Sequence, residues 1–140
     1  METGTMIDHI AFWQAPKVLE TLKLQALGKP VAMLLGHPSS RYQKKDLLFI
    51  DNWEPDSVTE LKVVLLAPYA TINLIRDFQI EKKIKPELPE IVEELMLCPN
   101  PRCITHSEEV PHKIRTKEGR LPFECYYCVF RYSHDQVKFL

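Results

Sequence analysis

The sequence predicts an α+β protein of two domains, on two observations. Up to Ile80 the apolar pattern follows the order strand, helix, strand, strand, helix, strand. This is the ferredoxin-like, or split βαβ, order, in which an antiparallel sheet carries both helices on one face. The last 52 or so residues contain all four cysteines of the chain. So short a segment needs a metal or disulfides to fold, which predicts a small cysteine-based β domain.

The first strand is predicted at residues 5–13, which are rich in apolar and β-branched residues. Alternation along a strand would place Ile7 and Ile10 on opposite faces. A helix follows, with Pro16 in its first turn and Gly28 as its stop. Its apolar residues recur at helical spacing and are Val18, Leu19, Leu22 and Ala26.

The middle of the N-terminal domain contains a predicted hairpin. Residues 31–35 and 47–50 are short apolar runs, and the polar segment 36–45 between them predicts its loop. Residues 55 and 56 would open a second helix, which ends before Pro68. The apolar face of this helix consists of Val58, Leu61, Val64 and Leu65.

A fourth strand is predicted at residues 70–80, and the composition changes directly after it. Residues 81–89 contain two prolines and five charged side chains, which is typical of a semi-rigid connector. We therefore expect domains at 1–88 and 89–140. The second domain would pack short strands on its cysteine cluster, with Ile114, Leu121, Phe123, Phe130, Tyr132 and Val137 as the apolar residues.

The four cysteines form two pairs, Cys98 with Cys103 and Cys125 with Cys128. Such pairs supply the four thiolates that one structural Zn²⁺ takes, and they leave no open position for catalysis. Two disulfides are the alternative. We favour zinc, because no basic segment followed by a long apolar run marks a secretory signal at the start, which predicts a cytoplasmic protein. His106, near Cys103, is an alternative fourth ligand.

Charge and composition argue against several functions. Eighteen basic and nineteen acidic side chains leave a net charge of −1, which gives no general attraction to nucleic acid. No apolar run approaches the roughly 20 residues that span a membrane. The five histidines are scattered, and Asp8 and His9, as neighbours on a strand, would point to opposite faces. We therefore predict a protein that is not an enzyme and binds neither nucleic acid nor membrane.

Several stretches, in this order, are similar to one known family: residues 4–10 (GTMIDHI), 45–47 (KDL), 50–52 (IDN), 67–73 (APYATIN), 97–100 (LCPN), 103–106 (CITH), 125–128 (CYYC) and 130–134 (FRYSH). Over essentially its whole length the sequence resembles the regulatory chain of aspartate carbamoyltransferase, an enzyme of pyrimidine biosynthesis. The resemblance implies an allosteric domain that forms a regulatory dimer and binds nucleoside triphosphates (ATP, CTP or UTP). It also implies a zinc domain that docks on the catalytic chain and joins catalytic trimers.

The resemblance further implies an effector site at Asp8, His9, Lys45, Asn73, Ile75, Ile80 and Lys83. In it Asp8 and His9 would meet the base and ribose end of the nucleotide, and Lys83 would pair with phosphate. The chain departs from the family by Phe49 in place of a lysine, by Phe78 in place of a tyrosine, and by an N-terminal extension cut to residues 1–3. These departures leave open a structural subunit that senses nucleotide weakly or not at all.

On the zinc domain, Asn100 and Tyr127 match the family. Three other positions differ from the best-known relatives, which have polar or charged residues there: Arg102, Val129 and Phe130. The resemblance therefore implies a docking surface that is more apolar than in those relatives.

Overall fold

The computed structural model describes residues 1–41 and 43–140. The chain divides into two compact units, Met1–Pro86 and Glu87–Leu140. Each unit is built on one antiparallel sheet, and the helices are few, so the predicted α+β class is confirmed. Among the described residues, no helix has both the length and the apolar character needed to cross a bilayer.

The first unit is a five-stranded sheet with two helices. Its elements are β1 (Gly4–Ala11), α1 (Ala15–Thr21), β2 (Val31–Ser39), β3 (Gln43–Asp51), α2 (Ser57–Leu66), β4 (Thr71–Arg76) and β5 (Gln79–Ile84). The strand order is β2-β3-β1-β4-β5. The first four strands and both helices follow the predicted split βαβ order, and β5 is an addition at the edge.

One row across this sheet forms the centre of the core. Ile7 of β1 pairs with Leu48 of β3 and with Ile72 of β4, and all three side chains are fully buried. Val18 of α1 and Val64 of α2 are buried as well. Burial of this apolar surface is the main force that holds the sheet and helices together.

A bulge in β1 corrects the predicted strand faces. The pairing register shifts between Ile7 and Ile10, and His9 within the bulge has a φ of +60°. The extra residue returns Ile10 to the face of Ile7, and both are fully buried. The prediction that they lie on opposite faces is therefore wrong.

The first helix is shorter than predicted. It ends at Thr21, because Lys23 adopts a left-handed conformation with a φ of +54°. A 3-10 turn, Leu24–Leu27, follows and ends at Gly28, which is also left-handed. Ala26 is exposed, so the predicted helical face does not continue to it.

The second helix begins as predicted, but its apolar face differs. The Asp56 side chain caps it by accepting a hydrogen bond from the Thr59 N–H at 2.7 Å. Val58, placed on the apolar face by helical spacing, is 52% exposed. The buried residues lie in the last turns instead and are Val63, Val64, Leu65 and Leu66.

Two predicted boundaries in the first unit are also corrected. Most of the segment 36–45, predicted as a loop, is strand, with residues 40 and 41 in the connection; Tyr42, also in that segment, lies outside the described residues. The strand predicted at residues 70–80 is two strands, because Asp77 and Phe78 have φ values of +53° and +63° and form a turn. Since β5 extends to Ile84, the connector is shorter than expected.

The second unit is a four-stranded sheet in the order β6 (Ile91–Glu93), β7 (Lys113–Lys117), β8 (Arg120–Cys125) and β9 (Arg131–Tyr132). Its core includes Ile114, Phe123, Tyr132 and Val137, as predicted. The rings of Phe123 and Tyr132 pack with centroids 5.4 Å apart. Phe130 precedes β9 and is 37% exposed, so it does not belong to this core.

Candidate metal centre and effector surface

The four cysteines of the second unit come together at one point. Their sulfur atoms all lie within 4.8 Å of one another, with 3.6 Å between Cys98 and Cys128 and 3.6 Å between Cys103 and Cys125. Four thiolates around Zn²⁺ at bond lengths of about 2.3 Å would be separated by about 3.8 Å. All four are free thiols, so the disulfide alternative does not fit.

Hydrogen bonds to the sulfurs arrange each cysteine pair. The backbone N–H groups of Tyr127 and Cys128 point to Cys125, and the Asn100 backbone and side chain point to Cys98 and Cys128 respectively. Such donors favour thiolates, the form that binds metal. The sequence supplies them by closing each pair in a short turn.

The electrostatics of the thiols favour a bound cation. Burial raises the pKa of Cys98 and of Cys125 above the ordinary thiol range. Burial also acts on Cys128, but hydrogen bonds from Asn100 and the Phe130 backbone outweigh it and lower its pKa to about 7. Buried thiolates without a cation are therefore unfavourable here, and a divalent metal would replace their protons.

His106 is not positioned as a metal ligand. Its Nε2 lies 2.9 Å from the Cys98 carbonyl oxygen, so this nitrogen donates to the backbone of the cluster. The potential ligand atoms that group together are the four sulfurs and not His106. The four-cysteine set is therefore the better fit.

The residues implied for the effector site lie mainly on one face of the first sheet. Met6 of β1 pairs with Phe49 of β3 and Asn73 of β4, and Asn73 pairs with Lys83 of β5. Cross-strand partners share a face, so this row lies opposite the Ile7 row of the core. By register and alternation the same face carries six implied residues and Phe49, and we call them the effector surface: Asp8, Lys45, Phe49, Asn73, Ile75, Ile80 and Lys83.

Polar contacts gather at one end of this surface. The Lys45 ammonium forms an ion pair with the Asp8 carboxylate at 2.9 Å. The same carboxylate accepts a hydrogen bond from the backbone N–H of His9 at 2.6 Å. His9 Nδ1 lies 3.8 Å from the Asp8 carboxylate and 3.4 Å from the Thr71 hydroxyl. The expectation that Asp8 and His9 point apart is therefore wrong, because the bulge turns His9 toward its neighbour.

His9 is kept neutral by its surroundings. Burial lowers its pKa below the ordinary histidine value, and the charges of Lys45, Arg41 and Lys85 add to this effect. Asp8 acts in the opposite direction and does not outweigh them. The neutral ring carries one donor nitrogen and one acceptor nitrogen.

Asn73 has an acceptor without a partner. Its side-chain Nδ2 faces the Met6 carbonyl at 3.4 Å, which directs Oδ1 elsewhere. Among the described residues no group donates to this buried oxygen. An unmet buried acceptor costs free energy of about 1–3 kcal/mol, which a ligand N–H or O–H would recover.

Two further residues with clear roles in the first unit, Thr71 and Asp46, were not predicted from the sequence. Thr71 contacts His9, and the alternation of β4 could have indicated its face. Asp46 is fully buried, and its carboxylate accepts the N–H groups of Ala15 and Gly36, each at 3.0 Å. No local pattern in the sequence indicates these contacts of Asp46, because they depend on bulges in two neighbouring strands, β1 and β2.

Comparison with known proteins covers both units. A family model described as the aspartate carbamoyltransferase regulatory chain, allosteric domain, matches residues 1–87. A second, described as the metal binding domain of that chain, matches residues 90–138.

Curated relatives match this chain over nearly its full length. The aspartate carbamoyltransferase regulatory chain of Vibrio vulnificus (strain YJ016) is 39% identical over 139 residues, covering 98% of this chain and 91% of that one. That of Archaeoglobus fulgidus is 40% identical over 133 residues (91% and 87%), and that of Pyrococcus abyssi 36% over 140 residues (98% and 92%). These relatives are regulatory chains, which confirms the prediction that the protein is not an enzyme. The resemblance found in the sequence is confirmed, and the chain belongs to the family of aspartate carbamoyltransferase regulatory chains.

Proposed function

We propose that this chain is the nucleotide-sensing regulatory subunit of an aspartate carbamoyltransferase, and that it joins catalytic trimers through a zinc domain. The observation that carries the proposal is the strand register, since it gathers six of the seven implied effector residues on one sheet face. Membership of the regulatory-chain family supports a catalytic chain as the partner.

The effector surface has the chemistry that a nucleoside triphosphate requires. Lys45 and Lys83 offer positive charge for phosphates, while Asp8 and the unpartnered Oδ1 of Asn73 are acceptors for sugar or base hydrogens. Phe49 lies in the same cross-strand row and offers an aromatic face. ATP, CTP and UTP share these features and are the proposed ligands.

The proposed regulatory dimer forms along the β2 edge of the first sheet. This edge strand has nine residues, and its Met33 and Leu34 are 41% and 44% exposed. The opposite edge, β5, carries the charged residues 81–83. A long apolar edge favours strand addition, whereas charges oppose it, so a second copy would pair at β2.

The zinc domain would present the surface that docks on the catalytic chain. One Zn²⁺ on Cys98, Cys103, Cys125 and Cys128 would fix the two cysteine turns. Tyr127, in one of these turns, donates its hydroxyl to the Pro111 carbonyl at 2.6 Å.

Exposed apolar side chains adjoin the same turns. Tyr126, Val129 and Phe130 are 48%, 56% and 37% exposed. Aromatic residues of this kind are enriched at protein interfaces. They therefore suit the apolar docking surface that the resemblance implies.

A second function is a structural subunit that assembles the enzyme without sensing nucleotide. The Asp8–Lys45 ion pair favours it, because it neutralises a charge that phosphate would need. Phe49 favours it as well, because the family usually has a lysine there.

Reconstitution with a purified catalytic trimer tests both functions. Under the main proposal the zinc-loaded chain co-elutes with the trimer, and ATP, CTP or UTP changes the aspartate saturation curve of the complex but not of the trimer alone. Cys125→Ala should abolish co-elution, because an unsupported turn cannot present the docking surface. A complex that ignores all three nucleotides would favour the structural subunit, and undiminished co-elution of Cys125→Ala would refute the role of zinc.

A further inference from the structure

One polar atom in the core of the second unit has no partner. The hydroxyl of Tyr132 is buried, and among the described residues no group forms a hydrogen bond with it. The residue as a whole is only 4% exposed, so water does not replace the missing contact at the surface. Since buried polar groups are nearly always paired, this hydroxyl calls for a partner.

The strand register places Tyr132 on the cysteine side of the second sheet. Tyr132 of β9 pairs with Phe123 of β8, and cross-strand partners share a face. Cys125 follows Phe123 by two residues on β8 and therefore lies on that face as well. Phe123 and Cys125 are both fully buried. Tyr132 thus belongs to the side of the sheet on which the four-cysteine cluster is built.

Aromatic packing fixes the ring that carries this hydroxyl. The ring centroid of Tyr132 lies 5.4 Å from that of Phe123. The Phe130 ring is stacked against it at 6.3 Å, with an interplanar angle of 29°. A side chain packed in this way has few alternative rotamers, so the fold determines where the hydroxyl lies.

The cysteine sulfurs are near enough to act on the hydroxyl. Burial is the main cause that raises the pKa of Tyr132 above its ordinary value, and negative charge on Cys98 and on Cys125 raises it further. Of these two sulfurs, Cys98 has the larger effect. The phenol therefore stays protonated at physiological pH and keeps its hydrogen for donation.

Cys98 is a sulfur that needs a further donor. It is buried, and burial raises its pKa in spite of a hydrogen bond from the Asn100 backbone. Side chains already donate to sulfur elsewhere in the cluster, since the Thr105 hydroxyl lies 3.2 Å from the Cys103 sulfur. A thiolate accepts hydrogen bonds much better than a thiol, so the Tyr132 hydroxyl gains an acceptor when metal replaces the thiol proton.

We propose that the Tyr132 hydroxyl donates a hydrogen bond to the metal-bound sulfur of Cys98, which makes Tyr132 a positioning residue of the metal centre. This inference rests on the zinc site of the proposed function and adds to it a residue outside the four ligands. A donor to a ligand atom fixes the direction of that ligand and increases metal affinity.

Tyr132→Phe in the full chain tests the inference, because it removes the hydroxyl and keeps the ring. Zinc affinity, measured by competition with a chelator, should fall by roughly 10-fold, the scale for partners of metal ligands. Cobalt(II) bound in place of zinc gives sulfur-to-metal charge-transfer absorption. These bands should move to lower energy in Tyr132→Phe, because the sulfur has lost a donor that stabilised its electrons.

Tyr127→Phe is the matched control, since it removes a tyrosine hydroxyl from the same unit. That hydroxyl donates to the Pro111 carbonyl at 2.6 Å and not to sulfur. Its loss should lower the thermal stability and leave the cobalt bands in place. Circular dichroism and the metal content of each purified variant establish that it is folded.

A hydroxyl without a role predicts the opposite change in affinity. Its removal would relieve the cost of burying an unpaired polar group, so Tyr132→Phe would bind zinc as tightly as the wild type or more tightly. The inference requires both the weaker affinity and the shifted bands, and absence of either overturns it while leaving the four-cysteine site intact. Failure of the wild type itself to bind zinc or cobalt would contradict the zinc site of the proposed function.

Discussion

The Lys45 ammonium lies 2.9 Å from a carboxylate oxygen of Asp8, and their side chains are only 16% and 15% exposed. The family resemblance assigns both residues to the effector site, yet here each satisfies the other. Under the proposed function, a triphosphate would have to compete with Asp8 for Lys45. The pair would then set how strongly the surface attracts phosphate.

Removing the Asp8 charge tests this competition. Asp8→Asn should tighten binding of inorganic triphosphate by up to about 1 kcal/mol, because Lys45 gains freedom to pair with phosphate. Lys45→Ala should weaken it. Calorimetric titration measures both, and unchanged affinity in Asp8→Asn would show that Lys45 does not meet phosphate.

Substitution of Phe49 by lysine tests whether the effector surface has lost a charged contact with the nucleotide. Phe49→Lys should tighten ATP or CTP binding by about 1.5–3 kcal/mol, the range for a hydrogen bond to a charged group. Lys83→Ala should weaken binding by a similar amount, and more at low salt than at high. If Phe49→Lys weakens binding instead, Phe49 stacks on the base, a contact worth about 1–3 kcal/mol.

The pH dependence of nucleotide binding should report on His9. Its lowered pKa keeps the ring neutral at pH 7, and a bound triphosphate would favour the charged form. Binding should then take up a proton, and affinity should rise as the pH falls from about 8 to about 6. The free protein should lose stability over the lower part of this range, because the unfolded histidine charges first.

His9→Gln is the matched control for that dependence, since it keeps hydrogen-bonding groups and cannot charge. Affinity measured across the same pH range should lose the rise that the wild type shows. An identical pH profile in the two proteins would place the titrating group elsewhere, such as on the nucleotide.

The sequence was informative wherever local chemistry determined the structure. The spacing of Cys98, Cys103, Cys125 and Cys128 predicted their convergence, and the structure groups all four sulfurs. The Asp56 cap and the order of the first four strands were predictable for the same reason, because each depends on a few neighbouring residues.

Features that depend on backbone conformation were not predictable. The left-handed residues His9, Lys23 and Phe78 respectively produce a bulge, end a helix and divide a predicted strand. None of them is glycine, the usual signal for positive φ. The net charge likewise did not indicate that five basic residues lie on β7, β8 and β9: Lys113, Arg115, Lys117, Arg120 and Arg131.

Metal removal should affect the stability of the two units differently. Chelation at neutral pH should unfold residues 87–140 and leave residues 1–86 folded, because the small unit depends on its metal. Limited proteolysis and zinc analysis should show one Zn²⁺ per chain and a protected N-terminal fragment. A metal-free, protease-resistant C-terminal unit would contradict the structural role of zinc.

Zinc affinity should rise with pH, since burial raises the pKa of Cys98 and Cys125 and their protons must leave before metal binds. Competition with a chelator of known affinity at several pH values measures this dependence. A flat profile would mean that the thiols are not the ligands.

The most direct test of nucleotide sensing is calorimetric titration of the purified, zinc-loaded chain with ATP, CTP and UTP. We predict saturable binding of at least one of the three at one effector surface per chain, weakened in Lys83→Ala. No measurable heat or binding with any of them, in the wild type and in Phe49→Lys alike, would contradict sensing and leave a structural subunit.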